Sequence, residues 1–308
     1  MTAIEAVATY LPPRQVRVAD LADELSLSPI QVAMFERFHK LTAVRRDDGS
    51  LLDLLRAAVD RLEALRGNEH RVRFVLHARA FPVVVPYPVN PLHQLCAERG
   101  LRHAEAFTVT QQSCATGLLA VDLAGRLLAE CGEPDALALV LAGEKAFTRD
   151  SRMLDGTSIF SEGSAACLIS LDGPRDRLLA YASLERGDFD GEPEDVAPLF
   201  QRGYTPSMAA AIEAALDDAG VELGELSVIL PHNVNLGSWR RVAKALEVPP
   251  EQVLIDNVLT TGHMFCADMF VNYATARERG RLRPGERYLV AAAGAGLGAT
   301  FSAMVLEH

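Results

Sequence analysis

One cysteine in this chain stands where a thiol can be made to react. The apolar, β-branched run Ala106 to Thr110 leads into the polar turn Gln111-Gln112-Ser113, and Cys114 then opens a stretch of small and aliphatic residues reaching Ala129. This pattern predicts a strand, a tight turn and a helix with Cys114 in its first turn. N–H groups there have no intrahelical partner, and the helix dipole favours thiolate over thiol. The position therefore suits a nucleophile and supplies donors to an oxyanion. Ala115, Leu118, Leu119, Val121, Leu123 and Ala124 leave the helix little polar surface, and a low dielectric strengthens its dipole. The alternative is a small hydrophobe in the core, as free cysteines usually are and as Cys96, Cys131 and Cys167 read. Position separates Cys114 from them.

Composition sets the setting. The 308 residues are 49% hydrophobic and 23% charged, ordinary for a globular protein with a sizeable core. A net charge of −11 argues against nucleic acid as a main partner. No apolar run reaches bilayer length, and the opening MTAIEAVATYLPP lacks a basic flank and a small-residue cleavage site, so a cytoplasmic protein without membrane contact is expected. The 5 cysteines fall at irregular spacing with no CxxC pair, against a disulfide framework or zinc ribbon and in keeping with reduced thiols. His263, Cys266 and Asp268 lack the further spaced ligands of a metal site, so none is assigned. The glycines around Gly296 follow the last strand with no βαβ unit after them, so they are no dinucleotide fingerprint.

The elements that must position Cys114 alternate. Strands are predicted at Ile4–Leu11, Val72–His77, Ala165–Leu171, Leu178–Arg186, Leu226–Leu230, Gln252–Ile255 and Tyr288–Ala293. Helices are predicted at Val18–Leu25, Ile30–Phe38, Leu51–Leu65, Leu92–Arg99, Ser207–Ala219, Trp239–Leu246 and Met264–Arg279. The proline-rich stretch Phe81 to Pro91 reads as a loop, and Gly187 to Tyr204 as a mobile surface excursion. The order is that of an α/β fold with largely covered sheets. The halves also repeat each other. The helix, strand and His77 of the first match the helix, strand and His232 of the second, and the Cys114 helix matches one beginning near His263. A duplication of this kind brings two equivalent helix N-termini, carrying Cys114 and His263, toward each other. The expected division is 1–172, with the cysteine, and 173–308, with the histidines.

With these residues in place the chain resembles the thiolase superfamily, and within it β-ketoacyl-acyl-carrier-protein synthase III and its relatives in specialised metabolism. The opening IEAVATYLPPRQVRVADLADEL, TVTQQSCATGLLAVDLA, IFSEGSAACLIS, ILPHNVN, TTGHMFCADMF and LVAAAGAGLGA occur in family order almost end to end. The resemblance implies a thiolase fold, α/β, with two duplicated βαβαβ-type halves packed as a five-layer α-β-α-β-α sandwich, and a homodimer. It makes Cys114 the nucleophile that accepts an acyl group as a thioester and His232 the active-site histidine of a PHxxN pattern closed by Asn235. A backbone N–H near Gly296 would pair with that of Cys114 as an oxyanion hole. Where the family carries asparagine after a glycine, this chain has His263, so the set becomes Cys-His-His, as in the elongating ketosynthases. The GDGAGA-like block is replaced by Ser161-Glu162-Gly163-Ser164.

Two further features concern the acyl donor. The tryptophan that stacks on coenzyme A in related synthases is missing from SPIQVAMFERFHKL, the sole tryptophan being Trp239, so the implied donor is an acyl carrier protein. Its phosphopantetheine-linked acyl thioester is a substrate, and no resident cofactor is implied. Arg240, Arg241 and Lys244 fall where related synthases dock the acidic carrier, or else form an ordinary solvated helix face. The expected reaction is decarboxylative condensation with a malonyl-type thioester, two imidazoles stabilising the enolate. The alternatives are transfer to an oxygen, nitrogen or sulfur acceptor without decarboxylation, and a non-catalytic partner subunit of a ketosynthase.

Overall fold

The computed structural model describes all residues except 83–87, 149–150, 155, 192 and 296–297, and the backbone alone of Pro193 and Glu194. Its first half contains β1 (Thr2–Tyr10), α1 (Leu51–Val59), β2 (Val72–Ala78), α2 (Pro91–Glu98), β3 (Glu105–Val109), α3 (Thr116–Cys131), β4 (Leu137–Gly143) and β5 (Ser164–Leu171). Its second half contains β6 (Arg177–Arg186), α4 (Pro193–Ala219), β7 (Leu226–Pro231), α5 (Leu236–Ala245), α6 (Asp268–Glu278), β8 (Arg287–Ala295) and β9 (Ala299–Glu307). The strands lie in the order β7-β8-β9-β6-β1-β5-β4-β2-β3. β3, β2 and β4 are parallel, as are β7 and β8, while the pairs nearer the middle are antiparallel. One pairing, Ala3 with Arg177, links the two runs. Read outward from that link, β1-β5-β4-β2-β3 and β6-β9-β8-β7 repeat the same order.

Burial separates the layers. Leu51 and Leu55 of α1 and Leu92 and Leu95 of α2 pack with Val75 and Leu139 on one face of the first run. Their sequence neighbours Leu76 and Val140 point the other way, into a central core shared with Val121 of α3, Phe270 of α6, and Leu230 and Val290 of the second run. Met208 of α4 and Trp239 of α5 cover the far face of that run with Leu289 and Phe301. The result is a five-layer sandwich. β4 is buried along its whole length, which is why LALVLAG reads as unbroken apolar sequence rather than an alternation.

The structure departs from the sequence expectations in four places. The stretch Gly187 to Tyr204 is no excursion beyond a short turn, because α4 begins at Pro193. Phe200, Tyr204 and Met208 recur every fourth residue, and Phe200 and Tyr204 pack on Phe301 at ring-centroid distances of 6.0 and 5.8 Å. The internal Pro198 and Pro206 lie on the exposed side, where water can take up the carbonyls they leave unpaired. Gln252–Ile255 is not a strand: a turn at Pro250–Gln252 leaves a single bridge from Val253 to Ile229. The helix from Leu51 stops at Val59, with Leu62 and Leu65 buried in the turns that follow. The closing stretch GATFSAMVLE contributes β9, hidden among glycines and alanines in the sequence. Of the loop at Phe81 to Pro91, residues 83–87 lie outside the described residues, and Pro91 already begins α2.

At Gly294 in β8, a methyl group would sit 2.1 Å from the carbonyl oxygen of Gln112 and 2.8 Å from Cβ of Ser113. This glycine lets the second half touch the turn that carries Cys114. Gly294→Ala is expected to lower stability by about 1–3 kcal/mol through overpacking, whereas Gly224→Ala, with open space around it, should change it by less than about 0.5 kcal/mol. Denaturant midpoints of the two variants check this; equal midpoints would refute the close-contact argument.

Candidate active site

Cys114 is buried in a tight turn, Ser113–Ala115, that runs directly into α3. The backbone enters it with Gln111 and Ser113 both at positive φ, 85° and 47°, an uncommon conformation for residues with side chains. On the facing side Gly117 passes Cys266 so closely that a Cβ would lie 2.7 Å from its carbonyl oxygen. The Cys266 thiol donates to the carbonyl of Ser113 at 3.3 Å. The turn before α3 and the turn before α6 are therefore locked together, as two equivalent helix starts meeting.

His263 and His232 are both brought to this junction. Their rings lie 5.5 Å apart, and each residue is 3% exposed. Nδ1 of His263 is hydrogen-bonded to the Asp268 carboxylate, which leaves Nε2 uncommitted in a ring close enough to Cys114 for the sulfur to act on its charge. Burial opposes a charge on His263, but the Cys114 sulfur and then the Asp268 carboxylate outweigh it and raise its pKa to about 10. His232 behaves oppositely. Burial, and then the neighbouring His263, push its pKa well below the usual value, so it is neutral. The N–H of Ala293 donates to its Nδ1 at 3.3 Å, which places the imidazole proton on Nε2, 3.3 Å from the Tyr204 hydroxyl. Trp239 donates to the His232 carbonyl at 2.8 Å and fixes the loop from behind.

The other expected site residues fall differently. Asn235 is committed to the fold: Oδ1 caps α5 by accepting from Ser238 at 2.7 Å, and Nδ2 donates to Thr157 at 3.1 Å. Gly296 lies outside the described residues; the neighbouring Gly294 is the glycine seen against the Cys114 turn. Arg240, Arg241 and Lys244 are exposed together on α5. His77, the counterpart of His232, bonds through Nε2 to the Gly143 carbonyl at 3.1 Å, and burial with the adjacent Arg79 lowers its pKa to about 3. Among the described residues no group of three or more His, Cys, Asp or Glu could hold a metal, and no helix is long and apolar enough to cross a membrane.

Sequence reasoning missed two residues. Tyr204 lay in a stretch read as loop. Asp268 reads in sequence as no more than a lone metal-ligand type, yet an acid at the start of α6, five residues after a histidine, is the pattern of an N-terminal carboxylate reaching back to orient an imidazole. Because the pKa of His263 lies above its ordinary 6.5, the protonated ring stabilises the fold fully below about pH 6.5, and that share is lost as pH rises through about 10. NMR titration of His263 should show a pKa near 10 that drops in both Cys114→Ala and Asp268→Asn. A value near 6.5, unmoved by either substitution, would overturn the assignment.

Residues 216–308 match the family described as 3-oxoacyl-(acyl-carrier-protein) synthase III C terminal. A β-ketoacyl-(acyl-carrier-protein) synthase III of Nitratidesulfovibrio vulgaris is 28% identical over 236 residues, 68% of this chain and 69% of that protein. The solved structure of the Aquifex aeolicus 3-oxoacyl-(acyl-carrier-protein) synthase III superposes with a TM-score of 0.84 over 100% of both chains, at 20% identity. That of the acyltransferase ChlB3 does so with a TM-score of 0.85, covering 99% of this chain and 97% of that one at 20% identity. The fold is the thiolase fold of these structures, and the chain is similar in sequence to synthase III proteins, most directly over its C-terminal third.

Proposed function

We propose that the protein is an acyltransferase that takes an acyl group from a carrier-protein thioester onto Cys114 and passes it to an oxygen, nitrogen or sulfur nucleophile. The observation that carries this reading is the Cys114–His263–Asp268 series, in which a nucleophile meets a base that a carboxylate orients. In the resting state the Cys114 thiolate attacks the thioester carbonyl. The departing pantetheine thiolate takes the proton of His263, leaving Cys114 acylated and uncharged. Loss of that anion removes the first of the influences that raise the pKa of His263. The ring is then neutral, with its proton on Nδ1 against Asp268 and a lone pair on Nε2. That lone pair accepts the proton of the incoming hydroxyl, amine or thiol, whose attack on the thioester restores the starting pair. His232, neutral with its proton on Nε2, is the donor to the oxyanion.

The Nδ1–Asp268 bond weighs against the condensation favoured from sequence. A neutral His263 held in this tautomer presents a lone pair, not a proton, to an enolate oxygen. Condensation stands as the second reading because His232 alone can donate to that oxygen and because the synthase III relative named above carries a condensing enzyme's name. Exposed Arg240, Arg241 and Lys244 suit an acidic carrier, and a homodimer is the assembly this reading adopts from the family resemblance.

Intact-mass analysis after incubation with acyl-carrier proteins should show an acyl adduct that Cys114→Ala abolishes. Chasing the adduct with hydroxyl, amine and thiol acceptors should release it without carbon dioxide, and His263→Ala should slow that release by about 10²–10⁴-fold. Stoichiometric carbon dioxide from malonyl carrier protein would establish condensation instead. No adduct with any donor would make the chain a non-catalytic partner subunit.

A further inference from the structure

A second buried polar group lies close to the nucleophile and has no part in the proton transfers above. Arg79 follows the last residue of β2 and Glu144 the last residue of β4, so both emerge at the carboxyl ends of the parallel strands whose third member, β3, leads to Cys114. In open α/β sheets this edge is where ligands bind. Arg79 is 6% exposed and Glu144 1%. Glu144 accepts from the backbone N–H of Ala80 at 2.8 Å and from Nε of Arg79 at 3.4 Å. Nη2 of Arg79 is buried with no hydrogen-bond partner among the described residues. Leaving a guanidinium N–H unpaired in the interior is costly, which marks it as a donor awaiting an acceptor.

The path from the site to this donor is aromatic. The Phe160 ring lies 5.0 Å from that of His263 and stacks on Phe265 at 4.4 Å with the planes 1° apart. Phe265, held at a positive φ of 52°, meets Phe81 edge-on at 5.4 Å. Phe81 follows Ala80 directly, whose backbone N–H bonds to Glu144. Cys266, whose thiol touches the Cys114 turn, feels the charges of both Cys114 and Glu144. Three phenyl rings therefore lead from the reacting centre to a polar end.

We infer that Arg79 and Glu144 form a polar end wall of the acyl site, selecting acyl groups that carry an oxo or hydroxyl oxygen beyond an apolar stretch. The oxygen accepts from Nη2 of Arg79, and Glu144 holds the guanidinium in place. A neutral oxygen is the suitable partner, because the guanidinium already faces the Glu144 carboxyl, whose pKa burial pushes up to about 7, and a second carboxylate would have to be held in the same dry place. The inference rests on the thioester reading of Cys114 and names the class of its donor.

The test compares rates of Cys114 acylation by butyryl to octanoyl N-acetylcysteamine thioesters with those of oxo- and hydroxy-substituted counterparts of equal chain length, read by intact mass. At one or more lengths the oxygenated donor should load about 5–100-fold faster than its plain counterpart, as for satisfying a buried donor. Arg79→Met should bring that ratio to about one, while Glu144→Gln, which keeps an acceptor for Arg79 and Ala80, should retain a preference. A ratio near one at every length in the native protein, or a preference unchanged by Arg79→Met, would overturn the inference. Absence of any adduct would instead overturn the thioester reading, so the two failures are distinct.

Discussion

The arrangement depends on a single buried carboxylate. Asp268 is 1% exposed and accepts four hydrogen bonds: from Nδ1 of His263, from the backbone N–H of Met264 at 2.7 Å, and from the backbone and side-chain amides of Asn233 at 2.6 and 3.2 Å. A carboxylate in the interior is tolerated only when its oxygens are paired, and here the start of α6 adds the favourable end of a helix dipole. Those four bonds tie the loop that follows β7, with His232 and Asn233, to the loop that carries His263. Asn272 extends the network by donating to the carbonyl of Pro231 and, at 2.9 Å, to Asn233. The spacing of the two imidazoles is thus set by amides and a carboxylate that never need touch substrate.

The duplicated fold explains why such a network can face a cysteine from the other half. α3 and α6 occupy equivalent places in the central layer, and their first turns meet where Gly117 and Cys266 are in contact. The halves diverge in what they do with equivalent histidines. His77 is bonded to the carbonyl at the end of β4, while His232 sits beside His263 and the Tyr204 hydroxyl. One copy of the repeat serves packing, and the other holds a proton where chemistry can use it.

Much of this was legible in sequence because it follows from periodicity and from turn chemistry. The unbroken apolar run of β4, the apolar centre of β2, the alternation of elements and the polar turn before Cys114 all carry local signals. What was not legible depends on partners distant in sequence. The first turns of α4 have a loop-like composition, and it is the rings of Phe189, Phe301 and His232 that give Phe200 and Tyr204 a surface to pack on. β9 is masked by the glycines before it, and its strand character comes from pairing with β6 and β8 on both sides. Asn235 fits a family pattern, yet its spacing before Ser238 is equally that of an N-cap, and the cap is what its amide forms.

The histidine at position 263 makes the greatest physical demand. An asparagine there would be a neutral donor in every state of a reaction cycle, needing no counter-charge. An imidazole in the same dry position changes charge, and burial alone would drive it to the neutral form. Asp268 and the Cys114 sulfur reverse that balance, and of these two only Asp268 keeps its charge after the sulfur is acylated. In the acyl transfer proposed above, the same residue protonates a departing thiolate and then deprotonates an acceptor without moving. The helix starts beneath Cys114 and at Asp268 contribute positive ends of backbone dipoles to a cluster whose formal charge is −1 when all three side chains are ionised. Histidine at 263 is thus inseparable from the acid at 268, and together they turn a fixed donor into a group whose role follows the state of the sulfur beside it.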